Sequence, residues 1–228
     1  MLKELIDKFY LDKHKNREQQ RFYITDAGRC PRAIFFKFKN VPREEMEANV
    51  LRMFDHGDSI HQLIMKPLFS MREVHVVAGE VNIPSHEMIS GRADAILSDG
   101  KELIVLDIKS MNSMVFRNLA QPKEENIDQI QLYMHYFKIQ KGILLYVNKD
   151  NQTLKEFIID YDKIRACALL ESLSELKKEI DSDIVPIRIP GYPNDWQCQY
   201  CSFKEVCAMA NGEEINWQDF KKKIEKVV

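Results

Sequence analysis

The stretch Leu103-Ile104-Val105-Leu106-Asp107-Ile108-Lys109-Ser110 decides how this chain reads. Four consecutive apolar residues mark a strand buried on both faces, as in the middle of a sheet. The run ends on a carboxylate and a lysine two residues apart. Alternate side chains of a strand share a face, so Asp107 and Lys109 point the same way. Ile108 points into the core and leaves its carbonyl available as a ligand. A charge set straight after a core strand is costly unless it is paired or used.

Upstream, Ser98-Asp99-Gly100 marks a hairpin turn. Gly91-Arg92-Ala93-Asp94-Ala95-Ile96 is therefore the antiparallel neighbour. Thirteen residues separate Asp94 from Asp107, which predicts staggered carboxylates brought together by twist or a bulge. Strands are expected over 73–82, 88–97 and 102–108, with a turn at Pro84-Ser85-His86. Downstream come a helix at 124–140, strands at 142–148 and 153–160, and a helix at 161–182.

The first seventy residues read as helical. Leu2, Leu5, Ile6, Phe9 and Tyr10 recur at helical spacing. Thr25 or Asp26 is the expected N-cap of a helix carrying Ile34, Phe35 and Phe38. Residues 44–70 form a long helix or a pair, with Pro42 and Pro67 as breaks. The fold class is α/β, a mixed central sheet flanked by helices. Residues 1–70 make an N-terminal helical region, 71–183 the core, and 184–228 a cysteine clasp and tail, closed into one composite domain.

Composition sets the outer bounds. The chain has 228 residues, 45% hydrophobic and 30% charged, with a net charge of −2. That balance argues against a non-specific nucleic-acid coat, and leaves room for a local basic groove offset by acidic ligands. Arg17, Arg21, Arg29, Arg32, Lys37, Lys39 and Lys221-Lys222-Lys223 read equally as a phosphate track or as solvated helix faces. No apolar run is long enough to span a membrane. The N-terminus lacks the apolar core of a signal peptide, so the expected compartment is the cytoplasm.

There, clustered thiols read as metal ligands before disulfides. Cys198, Cys201 and Cys207 follow a C-x2-C-x5-C spacing, and Cys30 stands alone near the N-terminus in Arg29-Cys30-Pro31-Arg32. Such a set suits zinc or an iron–sulfur cluster, and spacing alone leaves both open. Cys167, on an apolar helix, reads as a buried core thiol.

Aspartates beside a lysine suit phosphodiester hydrolysis. Hard oxygens hold Mg²⁺ or Mn²⁺, which activates water, and the lysine offsets charge in the transition state. The set resembles the PD-(D/E)XK nuclease superfamily. Its RecB-like branch has an upstream helical histidine, matched by His61 in Gly57-Asp58-Ser59-Ile60-His61. It also has a Q-x-x-x-Y motif, matched by Gln129-Ile130-Gln131-Leu132-Tyr133. Four residues apart on a helix, Gln129 and Tyr133 share a face.

The resemblance implies a restriction-endonuclease-like fold. It implies metal binding by His61, Asp94, Asp107 and the Ile108 carbonyl. It makes Asp94, Asp107, Lys109, Gln129 and Tyr133 the catalytic set, with Lys109 as the catalytic lysine and Gln129 and Tyr133 positioning substrate or the site. Glu80 is a weaker supporting acid, read first as a solvated strand residue. His14, His56, His75, His86 and His135 have no motif and read as structural or exposed.

One N-terminal and three C-terminal cysteines further resemble the stand-alone CRISPR-associated exonucleases of this branch. That implies a 4Fe-4S cluster on Cys30, Cys198, Cys201 and Cys207. It also implies exonuclease action on single-stranded DNA, trimming of spacer precursors, and CRISPR adaptation proteins as partners. Two alternatives stand beside it. One is a viral or host recombination or repair nuclease of the same fold. The other is a non-catalytic iron–sulfur scaffold that binds DNA, against which the retained carboxylates argue.

Overall fold

A computed structural model describes residues 1–14, 18–210 and 212–226; Arg17 lies outside them. The elements, in chain order, are α1 (Leu2–Lys13), β1 (Phe22–Tyr23), a 3₁₀ turn (Ile24–Asp26), α2 (Pro31–Phe38), α3 (Ala48–Leu68), β2 (His75–Asn82), β3 (Ile89–Ser90), β4 (Arg92–Ser98) and β5 (Leu103–Met111). Then come α4 (Ser113–Arg117), α5 (Glu124–Phe137), β6 (Lys141–Asn148), β7 (Leu154–Asp160), α6 (Lys163–Asp181), β8 (Ile184–Val185), α7 (Trp196–Gln199), α8 (Lys204–Ala208), β9 (Ile215–Asn216) and α9 (Trp217–Ile224).

The main sheet runs β2-β4-β5-β6-β7. Only the β5–β6 pair within it is parallel, because those strands are joined by a helical crossover rather than a hairpin. This is the mixed central sheet expected from the sequence. Ile104, Leu106 and Ile108 pack with Ala95 and Leu97 against Ile60 of α3. Val105 belongs to the larger core with Ile130, Met134, Leu144 and Tyr146. There α5 lies so close that a Cβ on Gly142 would sit 2.6 Å from Ile130 Cδ1. Tyr146 accepts from Lys123 N at 3.0 Å and Asn126 Nδ2 at 2.8 Å, which fastens the start of α5 over the sheet.

The β4–β5 hairpin needs no bulge. Asp99 Oδ1 caps its turn by accepting from Lys101 N and Glu102 N, and Gly100 takes φ +84°. The register pairs Ser98 with Leu103 and Ala95 with Leu106. Asp94 and Asp107 are next in line across the ladder, so the expected stagger is corrected. The irregularity lies instead between Val76 and Ala78, in the β2–β4 pair.

Several other expectations are corrected. The cap of α2 is Cys30 rather than Thr25 or Asp26, and Asp26 is buried in the 3₁₀ turn. Pro67 lies inside α3, not at its break. Cys167 is exposed. Its neighbour Ala166 is the buried residue, in line with Leu173, Leu176 and Ile180, and one residue along a helix turns the side chain about 100° away. α1 buries none of its residues and is held on α3 by Asp7–Arg52 at 2.6 Å and Lys13–Asp55 at 3.7 Å.

The C-terminal segment is part of the core. β9 pairs with β8. Trp217 and Phe220 of α9 pack on Phe35 and Phe36 of α2, with ring centroids 5.8 and 6.0 Å apart. Such aromatic pairs contribute about 0.5–1.5 kcal/mol each beyond burial.

Candidate active site

β4 and β5 deliver the two aspartates side by side, and α3 delivers His61 from above. Asp94 Oδ2 accepts from Ile108 N at 2.6 Å, and Asp94 Oδ1 lies 3.2 Å from His61 Nδ1. That hydrogen bond raises the His61 pKa, against an opposing effect of burial. Asp107 is 2% exposed. Burial pushes its carboxyl pKa up, and the nearby Lys109 charge opposes the shift. Lys109 Nζ donates to Asp107 Oδ1 at 3.1 Å and lies 2.8 Å from Oδ2. Even so, Oδ2 has no hydrogen-bond partner.

Lys109 Nζ also donates to Gln129 Oε1 at 2.8 Å. Gln129 Nε2 donates to Tyr133 Oη at 3.3 Å, and Tyr133 donates to the Arg92 carbonyl at 2.7 Å. The relay fixes which end of the Gln129 amide faces the lysine. Burial raises the Tyr133 pKa, keeping the hydroxyl protonated as a donor. Tyr133→Phe removes the end of this relay. We expect about a ten-fold fall in kcat with little change in thermal stability, because the Gln129 amide loses its orientation; an unchanged kcat would separate Tyr133 from the site.

The structure therefore gathers His61, Asp94, Asp107, Lys109, Gln129 and Tyr133. Glu80 is not among them: it is exposed, with φ +50°, and pairs with Arg92 at 3.3 Å. His14, His56, His75 and His86 are exposed, and His135 hydrogen-bonds Tyr161 Oη at 2.7 Å. The Arg92 carbonyl is a contributor that the sequence does not flag, since a backbone acceptor leaves no residue signature.

Among the described residues, no three His, Cys, Asp or Glu side chains are grouped as a ready metal site. His61 Nδ1 and both Asp94 oxygens are engaged with one another or with Ile108. The donor chemistry nonetheless fits a hard cation: Asp94 and Asp107 supply carboxylate oxygens, and Asp107 Oδ2 has an ion pair with Lys109 but no hydrogen bond that metal binding would break.

The four cysteines of the clasp line one pocket, together with Arg188 and Tyr192. None of the five described cysteines is in a disulfide. Burial raises the pKa of Cys30, and its nearness to Cys201 and Cys207 adds to the rise. Free soft donors lining one pocket fit a thiolate-bound centre by their chemistry. The clasp also closes through protein contacts. Cys30 N donates to Gln197 Oε1 at 2.9 Å, and Glu44 N donates to the Ser202 carbonyl at 3.2 Å.

Arg32 is 1% exposed and donates to the carbonyls of Pro186 at 2.6 Å and Glu213 at 2.9 Å. It is a structural clamp and not part of a phosphate track. Lys39 is likewise engaged, with Asp183 and the Ile180 carbonyl. Lys221 and Lys222 pair with Glu225 and Asp219 on the solvated face of α9.

The PD-(D/E)XK nuclease superfamily model matches residues 44–208. The chain belongs to the PD-(D/E)XK nuclease superfamily. The matched span of this PD-(D/E)XK nuclease contains His61, both aspartates, Lys109 and the Gln129–Tyr133 helix. The chain is 27% identical over 216 residues to the CRISPR-associated exonuclease Cas4 of Saccharolobus solfataricus, covering 91% of this chain and 98% of that one. Its fold is similar to the crystal structure of SSO0001, with TM-score 0.57 and 25% identity over 91% of this chain and 96% of the other. LHK-Exo, an alkaline exonuclease from Laribacter hongkongensis solved in complex with dAMP, shares the fold, with TM-score 0.53 and 14% identity over 91% of this chain and all of that one. No helix among the described residues is long and apolar enough to cross a membrane.

Proposed function

We propose that this PD-(D/E)XK nuclease is a cytoplasmic, metal-dependent exonuclease acting on single-stranded DNA. In this reading it holds a 4Fe-4S cluster and trims spacer precursors beside CRISPR adaptation proteins. The buried Asp107 carboxylate, paired with Lys109 at a strand end beside Asp94 and His61, is the observation that carries the hydrolytic reading. A scaffold with no chemistry to perform gains little from a carboxylate buried at this desolvation cost.

His61, Asp94, Asp107 and the Ile108 carbonyl would hold Mg²⁺ or Mn²⁺. The ion, when bound, neutralises phosphate charge and acidifies water. Lys109 supplies a positive charge for the scissile phosphate, where negative charge grows in the transition state. Gln129 keeps the ammonium group pointing at Asp107, and Tyr133 keeps Gln129 pointing at the ammonium. The side-chain identities and the relay support these roles.

Cys30, Cys198, Cys201 and Cys207 would bind the cluster, whose place in the clasp suits a structural staple. The likeness to a CRISPR-associated exonuclease over most of both chains supports the pathway. End-labelled single strands incubated with Mg²⁺, Mn²⁺ or a chelator test the activity. Metal-dependent release of mononucleotides is expected. Cleavage of duplex DNA alone would overturn the substrate class, and colourless protein carrying zinc would overturn the cluster.

A further inference from the structure

An open groove of about 620 Å³ runs beside the clasp, with Cys30 and Cys201 in its wall. Its lining combines exposed rings with the Arg29 guanidinium and an ion pair between Lys37 and Asp26. Tyr200 is 84% exposed and Trp196 45%. Trp196 is a braced shelf: the Arg29 guanidinium sits 4.9 Å from its ring centroid. Asp195 caps the turn beneath it by accepting from Gln197 N at 2.8 Å, and Gln197 is tied to Cys30.

The groove carries one net positive charge, that of Arg29. Its charged lining residues are Asp26, Arg29 and Lys37. Asp26 is buried and already accepts from Gln19, the Tyr23 amide and Lys37. Arg29 faces the groove over Trp196, and Lys37 keeps about a third of its side chain exposed. Exposed rings beside cations are the arrangement that holds a single strand: bases stack on the rings and phosphates follow the charge. A duplex, its bases already stacked on each other, offers the rings nothing.

Helix α3 connects the groove to the active site. Phe54 of α3 lines it, and His61 lies seven residues further along the same helix. Seven residues are almost two turns, so both side chains share a face about 10 Å apart. Gly57 lies between them, where a Cβ would sit 3.7 Å from Ser110 Oγ, so this part of α3 lies close over the end of β5.

We propose that this groove is a docking subsite for single-stranded DNA. Trp196 and Tyr200 stack unpaired bases, Arg29 and Lys37 contact the backbone, and the strand continues along α3 to Asp107. The proposal rests on the single-stranded reading above and gives that substrate a path.

Intrinsic fluorescence tests it without cleavage. The chain has two tryptophans, and Trp217 is only 7% exposed, so quenching by a ligand in solution reports Trp196. Full-length, cluster-loaded protein is titrated with oligothymidylate in EDTA. Quenching is expected, with Tyr200→Ala weakening binding about ten-fold. Trp196→Leu should abolish the quench, and Arg29→Gln should reduce the salt slope of binding by about one. Iron content and melting temperature check that each variant is folded, and Tyr200→Ala, at an almost fully exposed position, is the decisive one.

Single strands that bind and are degraded without quenching, and with Tyr200→Ala equal to wild type, would overturn the subsite and leave the substrate reading standing. Equal quenching by a blunt duplex would also overturn it. Degradation of duplex alone would sink both.

Discussion

Asp107→Ala is expected to reduce DNA cleavage roughly a thousand-fold or more while the protein stays folded. The carboxylate is the most buried charge of the site, and its Oδ2 has no hydrogen-bond partner. In the metal-free fold its partner is Lys109. Lys109 keeps its bond to Gln129 when Asp107 is lost, so the relay survives the substitution. Circular dichroism and end-labelled DNA assays check both halves. Cleavage retained in Mg²⁺ or Mn²⁺ would sink the assignment.

Asp107→Asn adds a pH signature. Burial raises the carboxyl pKa in the native state. Between the unfolded value near 4 and the raised native value, the native state holds the extra proton. The stability of metal-free protein therefore falls as pH rises through that window, then levels off with the charged form as a fixed cost. The amide abolishes that cost. Metal-free Asp107→Asn should melt at or above wild type at neutral pH, with a flatter pH profile at acid pH.

The second large effect belongs to the clasp. Cys201→Ser should lose the cluster and lower stability by about 4–5 kcal/mol, the closure entropy of a loop of about 168 residues. For a chain of this size that is roughly 8–20 °C in Tm. Cys167→Ser should change neither iron content nor Tm, because its thiol faces solvent. Equal iron loss in both variants would refute the ligand set. The protein contacts of the clasp, Arg32 above all, predict that Cys201→Ser remains folded at low temperature.

Much of the site was legible because its signals are local. An apolar run followed by Asp107 and Lys109 specifies a core strand and its end, and Gln129 and Tyr133 share a helix face by spacing alone. The missed features depend on contacts distant in sequence. Arg32 looked available for phosphate, but its partners are carbonyls more than 150 residues away. Hairpin register depended on how four turn residues hydrogen-bond one another, not on the number between the aspartates. Cys167 sits in an apolar sequence whose buried stripe passes one residue to its side. The α9 packing was hidden because Trp217 and Phe220 find their partners on α2.

The Arg32 clamp also fixes an order of events during synthesis. Its guanidinium is buried by Pro186 and Glu213, which leave the ribosome long after it. At roughly 5–20 residues per second, α2 waits on the order of ten to thirty seconds for those carbonyls. Until then Phe35 and Phe36 lack Trp217 and Phe220, and the nascent N-terminal region carries an uncovered aromatic face beside a charge it cannot yet bury. The sheet can form in the interval, but α2 is covered only when α9 arrives.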